Sequence, residues 1–119
     1  MPDRSVLVLE DNAVLAESIT FALTTFGWKV VGPFGSNAEA LPVATDQRFS
    51  TAVLDLDLGS ETSIPVATVL LERDIPFVFL TGHDAAREIP EAFADVTCLS
   101  KPVTPEALVK VLEATARSD

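Results

Sequence analysis

Three carboxylates, a hydroxyl and an ammonium stand where apolar runs of the chain end. Glu10 and Asp11 follow 5–9, Asp55 follows 51–54, Thr81 follows 77–80, and Lys101 lies just beyond 96–99. Gathered in one place, this set could accept a phosphoryl group. Carboxylates about 4 Å apart repel by roughly 4 kcal/mol at an effective dielectric near 20. Such a cluster raises its own pKa values or binds a cation. An oxygen-only set without His or Cys suits magnesium, which keeps several waters and takes phosphate oxygens as ligands. Asp11 and Asp55 would then reach the ion directly, Glu10 through a water, and the main-chain carbonyl of Asp57 would add a ligand. Asp55, on the central strand, would be the nucleophile, giving an aspartyl phosphate. Lys101 would hold another phosphoryl oxygen. Thr81 would bond the third, and so would gain its partner only when the phosphoryl is present.

For those groups to meet, the apolar runs must be parallel strands, whose downstream ends share one edge. The intervening segments support this. Asn12 caps a helical pattern of Leu15, Ile19, Ala22, Leu23 and Phe26 that stops at Gly27. A second strand is expected at 29–32, preceded by a half-buried Trp28. Ser36 and Glu39 make a capping box for a second helix, which Pro42 should kink or shorten. A third helix is expected from about Ser63 with Val66, Val69 and Leu70 inward. Thr104-Pro105 opens a last one with Leu108, Val111 and Leu112 inward. Buried strands alternating with helical crossovers predict an α/β flavodoxin-like, doubly wound sheet of five parallel strands in the order 2-1-3-4-5. Residues 84–95 break the pattern. Pro90 and a scattered apolar set predict a shortened or irregular fourth helix there. Phe77, Phe79 and Cys98 are expected in the core, and His83 in an exposed loop, with gating of the pocket as the alternative. Lys101-Pro102 is a position where a cis bond would aim the lysine inward.

The bulk composition narrows the functional classes. A chain of 119 residues with 48% hydrophobic content is expected to be one domain, 1–119. The net charge of −10, with eight Lys and Arg, offers no basic face for nucleic acid or for an anionic membrane. No apolar run approaches the roughly 18 residues of a membrane span. One cysteine and no signal-like start lead to an expected cytoplasmic location.

Glu10-Asp11, Val53-Leu54-Asp55, Thr81-Gly82 and Lys101-Pro102, in that order, resemble the receiver domain of bacterial two-component response regulators. The resemblance spans nearly the whole chain. It implies phosphorylation of Asp55 by a histidine kinase or a histidine phosphotransferase, with magnesium as cofactor, and a signalling rather than an enzymatic role. The output would be a downstream protein partner, onward transfer or a phosphate sink. Pro76-Phe77-Val78-Phe79-Leu80-Thr81-Gly82 and Asp55-Leu56-Asp57-Leu58-Gly59 further resemble single-domain regulators of the FATGUY type. That likeness implies an altered fourth helix, kinases of the HWE class and stress signalling. The chain departs from the subgroup at Leu80 and His83. It departs from many receivers at Cys98, where an aromatic switch residue is usual, so that output through 84–95 is the expectation.

Two rivals belong to other classes. Asp55-Leu56-Asp57 also resembles the nucleophile motif of haloacid-dehalogenase-type phosphatases. However, it ends the third strand instead of the first, and Gly59 replaces the usual Thr. A pseudo-receiver would keep the fold as a binding module without phosphorylation, although all the pocket residues are present.

Overall fold

The computed structural model describes residues 4–82 and 89–116. The elements run β1 (Ser5–Leu9), α1 (Ala13–Thr25), β2 (Lys29–Phe34), α2 (Asn37–Asp46), β3 (Thr51–Asp55), α3 (Ile64–Glu72), β4 (Phe77–Thr81), β5 (Thr97–Ser100) and α4 (Pro105–Thr115). All strand pairings are parallel, in the order β2-β1-β3-β4-β5. This is the expected doubly wound sheet.

Alternation along the strands divides the core between the two faces. Leu7, Leu9, Ala52, Leu54, Phe77 and Phe79 pack with α2 and α3 residues such as Ala40, Val66 and Leu70. Val6, Val8, Val53, Val78 and Leu80 pack with Ile19 and Leu23 of α1 and Leu108 and Leu112 of α4. β1, β3 and β4 are buried at every residue, so they read in sequence as continuous apolar runs.

The helix starts follow their side-chain chemistry. Asn12 Oδ1 accepts from Leu15 N at 3.0 Å and Thr104 Oγ1 from Ala107 N at 3.1 Å. Ser36 Oγ accepts from Glu39 N at 3.2 Å, while Glu39 Oε1 reaches back to Gly35 N at 2.8 Å. α2 carries Pro42 on its exposed side and ends four residues later. Gly27, at φ 89, turns the chain after α1.

Between β4 and β5 the described residues form a single 3-10 turn, Glu91–Phe93, entered through an extended Pro90. Phe93 anchors this segment edge-on to Phe77 and Phe79, with ring centroids 6.1 and 5.7 Å away. His83 and residues 84–88 lie outside the described residues.

Five expectations change. β2 runs on to Phe34, two residues past its expected end. Trp28 is buried, only 3% exposed, with the Arg4 guanidinium 5.4 Å from its ring centroid. Phe26 is 45% exposed, because α1 ends at Thr25 and Phe26 is its C-cap. β5 starts one residue later than expected and is largely exposed, since it is the edge strand and pairs only with β4. Cys98, on that strand, is exposed and not a core residue.

Candidate functional site

The downstream ends of β1 and β3 lie side by side, because Leu9 pairs with Leu54. That register sets Glu10 and Asp11 against Asp55. One carboxylate oxygen from each of the three lies within 4.8 Å of the others. On the other side of β3, Asp55 pairs with Leu80, and Thr81 with Ser100 of β5. Lys101 N donates to the Thr81 carbonyl at 2.8 Å, which carries the lysine over the strand ends. Lys101-Pro102 is cis.

Lys101 Nζ donates to Asp55 Oδ2 at 2.7 Å and stands 3.4 Å from Glu10 Oε1. Asp55 Oδ1 accepts from Asp57 N at 3.3 Å. Glu10 and Asp55 are both buried, whereas Asp11 and Asp57 are exposed. Burial, and then the neighbouring Asp55 carboxylate, push the Glu10 pKa up from 4.5 to about 7, against the Asn12 amide and the Lys101 charge. Burial alone would lower the Lys101 pKa, but Asp55 and then Glu10 outweigh it, and the net shift is upward. The ammonium is therefore held charged.

These groups open into a cavity of about 390 Å³ whose lining includes Glu10, Asp11, Asp55, Asp57, Gly59 and Lys101. Its chemistry fits a hard divalent cation. The donors are all oxygens, and Glu10 Oε1 is buried without a hydrogen bond, beside the other two carboxylates. The Asp57 side chain is already engaged, its Oδ1 accepting from Gly59 N at 2.9 Å. Its main-chain carbonyl is the ligand expected from the sequence.

Thr81 stands at the strand end as expected, but it is 1% exposed and does not line the cavity; Gly82 does. The structure thus brings Glu10, Asp11, Asp55, Asp57 and Lys101 together and sets Thr81 just behind them. Sequence reasoning missed Asn37 and Glu61, which meet at the hairpin where Thr62 pairs with Asp57. Asn37 Nδ2 donates to Glu61 Oε1 at 2.9 Å and to the Thr62 carbonyl at 2.7 Å. Each looks like an ordinary polar residue in the sequence, and no local pattern joins positions 24 apart.

Comparison with known proteins agrees with this geometry. The response regulator receiver domain model matches residues 6–113. The probable transcriptional regulatory protein TcrX of Mycobacterium tuberculosis is 31% identical over 120 residues, covering 95% of this chain and 50% of that protein. The chain spans about half the length of the curated relatives it matches. The solution structure of SdrG from Sphingomonas melonis Fr1 superposes with a TM-score of 0.79 at 34% identity, covering 94% of this chain and 95% of that one. A response regulator from Burkholderia pseudomallei, solved with a phosphorylated aspartic acid, a calcium ion and citrate, gives 0.78 at 28%, covering 92% and 66%. Sheet order, acidic cluster and sequence match converge: this chain belongs to the response regulator receiver domain family.

Proposed function

We propose that this domain takes a phosphoryl group onto Asp55 from a histidine kinase or histidine phosphotransferase, in a magnesium-dependent reaction, and signals through the resulting change. The observation that carries this reading is the buried Asp55 carboxylate, held by Lys101 at 2.7 Å within an oxygen cluster that also includes Glu10 and Asp11. The phosphorylated aspartic acid named for the Burkholderia relative supports the same chemistry.

In this reading an Asp55 oxygen attacks the phosphorus of a phosphohistidine. A phosphorus–oxygen bond forms, the phosphorus–nitrogen bond breaks with its electron pair going to nitrogen, and the donor imidazole, already protonated on its other ring nitrogen, leaves as the neutral ring. Asp11, Asp55 and the Asp57 carbonyl would hold magnesium, with Glu10 acting through water. The ion supplies charge neutralisation at the transferring group. Lys101 must leave Asp55 to meet a phosphoryl oxygen, and Thr81 must come forward to meet another. The Phe77–Gly82 sequence supports the FATGUY-like subgroup, and with it an HWE-class kinase and stress signalling; a cytoplasmic setting belongs to the same reading.

Amide NMR of labelled protein with magnesium, before and after beryllofluoride, tests the reading. Beryllofluoride mimics a phosphoryl group on a carboxylate. Shifts centred on Asp55, Thr81 and Lys101, absent in Asp55→Asn, are expected. A folded wild-type spectrum that does not move would reject phosphorylation and leave a binding module.

A further inference from the structure

Resting on that function, we propose that Asn37 is a positioning residue: through Glu61 and Thr62 it fixes the β3–α3 hairpin that carries the Asp57 carbonyl, and so sets the cation affinity of the pocket.

The hairpin closes on itself. Asp57 and Thr62 form an antiparallel bridge, Leu58 N donates to the Glu61 carbonyl at 2.8 Å, and Ser63 N to the Leu56 carbonyl at 3.0 Å. These bonds give the hairpin its shape. Its base is held to the sheet, where Leu56 N donates to the Leu80 carbonyl at 2.9 Å and Leu56 and Leu58 are buried in the core. Its far strand is held to α2. Asn37 is the first residue of the helix and is only 5% exposed. Its Nδ2 bonds both the Glu61 carboxylate and the Thr62 carbonyl, and its own N–H donates to Glu61 Oε2 at 3.3 Å. Glu61 thereby places a carboxylate on the first N–H of α2, where the helix dipole favours negative charge.

The gap being fixed is small. A Cβ built on Gly59, at the hairpin tip, would lie 3.4 Å from Asp11 Oδ2, and one on Gly35 would lie 3.9 Å from Asp11 Cα. The β1 end, the approach to α2 and the hairpin therefore meet around Asp11. Only the Asn37 contacts tie the last two together by side-chain hydrogen bonds among the described residues. A hairpin freed from α2 keeps its base on β4 and its leucines in the core, but the Asp57 carbonyl is held less firmly, and the cation site is weakened without losing a carboxylate.

The test compares wild type, Asn37→Ala, Glu61→Ala and Asn37→Asp, each titrated with magnesium alone by calorimetry, with amide hydrogen exchange read at Leu58 and Gly59. Glu61 is exposed, so its truncation keeps the test open even where Asn37→Ala does not fold. The expected result is magnesium binding weakened about tenfold in Glu61→Ala and Asn37→Ala, the low end of what outer partners of metal ligands cost. Exchange at the hairpin amides should be faster in both. Asn37→Asp, which opposes a carboxylate to Glu61, should weaken binding further. Folded variants that bind magnesium as wild type does would overturn the inference while leaving the proposed function standing. Wild type that binds no magnesium would overturn both.

Discussion

Replacing Lys101 by Met removes the ammonium and keeps the length of the stem, and the pocket geometry sets how much that should matter. At 2.7 Å from Asp55 Oδ2, the pair attracts by about 6 kcal/mol at an effective dielectric near 20. That is a ceiling, because the Lys101 side chain is 30% exposed and water takes over part of its role. Breaking a fully buried pair costs about 3–5 kcal/mol, and an exposed one about 1 or less. Glu10 softens the loss further. Its pKa already stands at about 7, held down in part by Lys101, so without the lysine it keeps its proton and the pocket avoids a third charge. The expected cost without divalent ions is about 2 kcal/mol, or a melting temperature lower by about 6–10 °C for a domain of this size.

Magnesium narrows the difference. With no ammonium opposing it, a cation should bind Lys101→Met about tenfold more tightly, a gain of about 1.4 kcal/mol. The variant should therefore melt well below wild type in EDTA and close most of that gap in saturating magnesium. Lys110→Met, at an exposed position on α4, is the control and should change neither value. Calorimetric melting and magnesium titration of the three proteins decide the matter. Equal melting temperatures in EDTA, or weaker magnesium binding by Lys101→Met, would refute the argument that the lysine neutralises the resting pocket.

The raised Glu10 pKa makes the magnesium-free protein lose stability as pH rises. Between 4.5 and about 7 the folded state binds a proton that the unfolded chain has released, so stability falls across that window and levels off above it, by about 3 kcal/mol at most. Thermal melts in EDTA from pH 5 to 8 should show the decline and saturating magnesium should remove it; a flat profile in EDTA contradicts a net cost of burying the Glu10 carboxylate beside Asp55. Phe93→Ala should cost about 3–4 kcal/mol in urea unfolding, as expected for an aromatic ring that is 4% exposed and packed edge-on against Phe77 and Phe79. A cost below 1 kcal/mol would mean that the turn after Pro90 is not fastened to the sheet.

The site was legible in the sequence because strand ends in a parallel sheet all face the same way. Glu10, Asp11, Asp55 and Lys101 needed only the direction of each apolar run to be placed together, and the Leu9–Leu54 register delivers the cluster. What stayed hidden depended on partners remote in sequence. Cys98 looks like a core residue within an apolar run, and its exposure follows from β5 lying at the sheet edge. Trp28 lies next to a strand start, and its burial comes with Arg4 lying over its ring. Asn37 serves the capping region by its position and the β3–α3 hairpin by its side chain, and only the second role bears on the site.

The position of Thr81 changes how the proposed signal must travel. A hydroxyl lining the cavity could bond a phosphoryl oxygen by a rotamer change alone. Thr81 is buried at the end of β4 instead, and its carbonyl is bonded to Lys101 N at 2.8 Å. If the strand end moves to bring the hydroxyl forward, that hydrogen bond makes the lysine backbone move with it or break away. Lys101 must in any case give up Asp55 Oδ2 to reach a phosphoryl oxygen. The two rearrangements are thus coupled through one main-chain bond, and both act on the junction of β4 and β5. Phosphorylation would be felt there first, with no aromatic residue at position 98 to relay it.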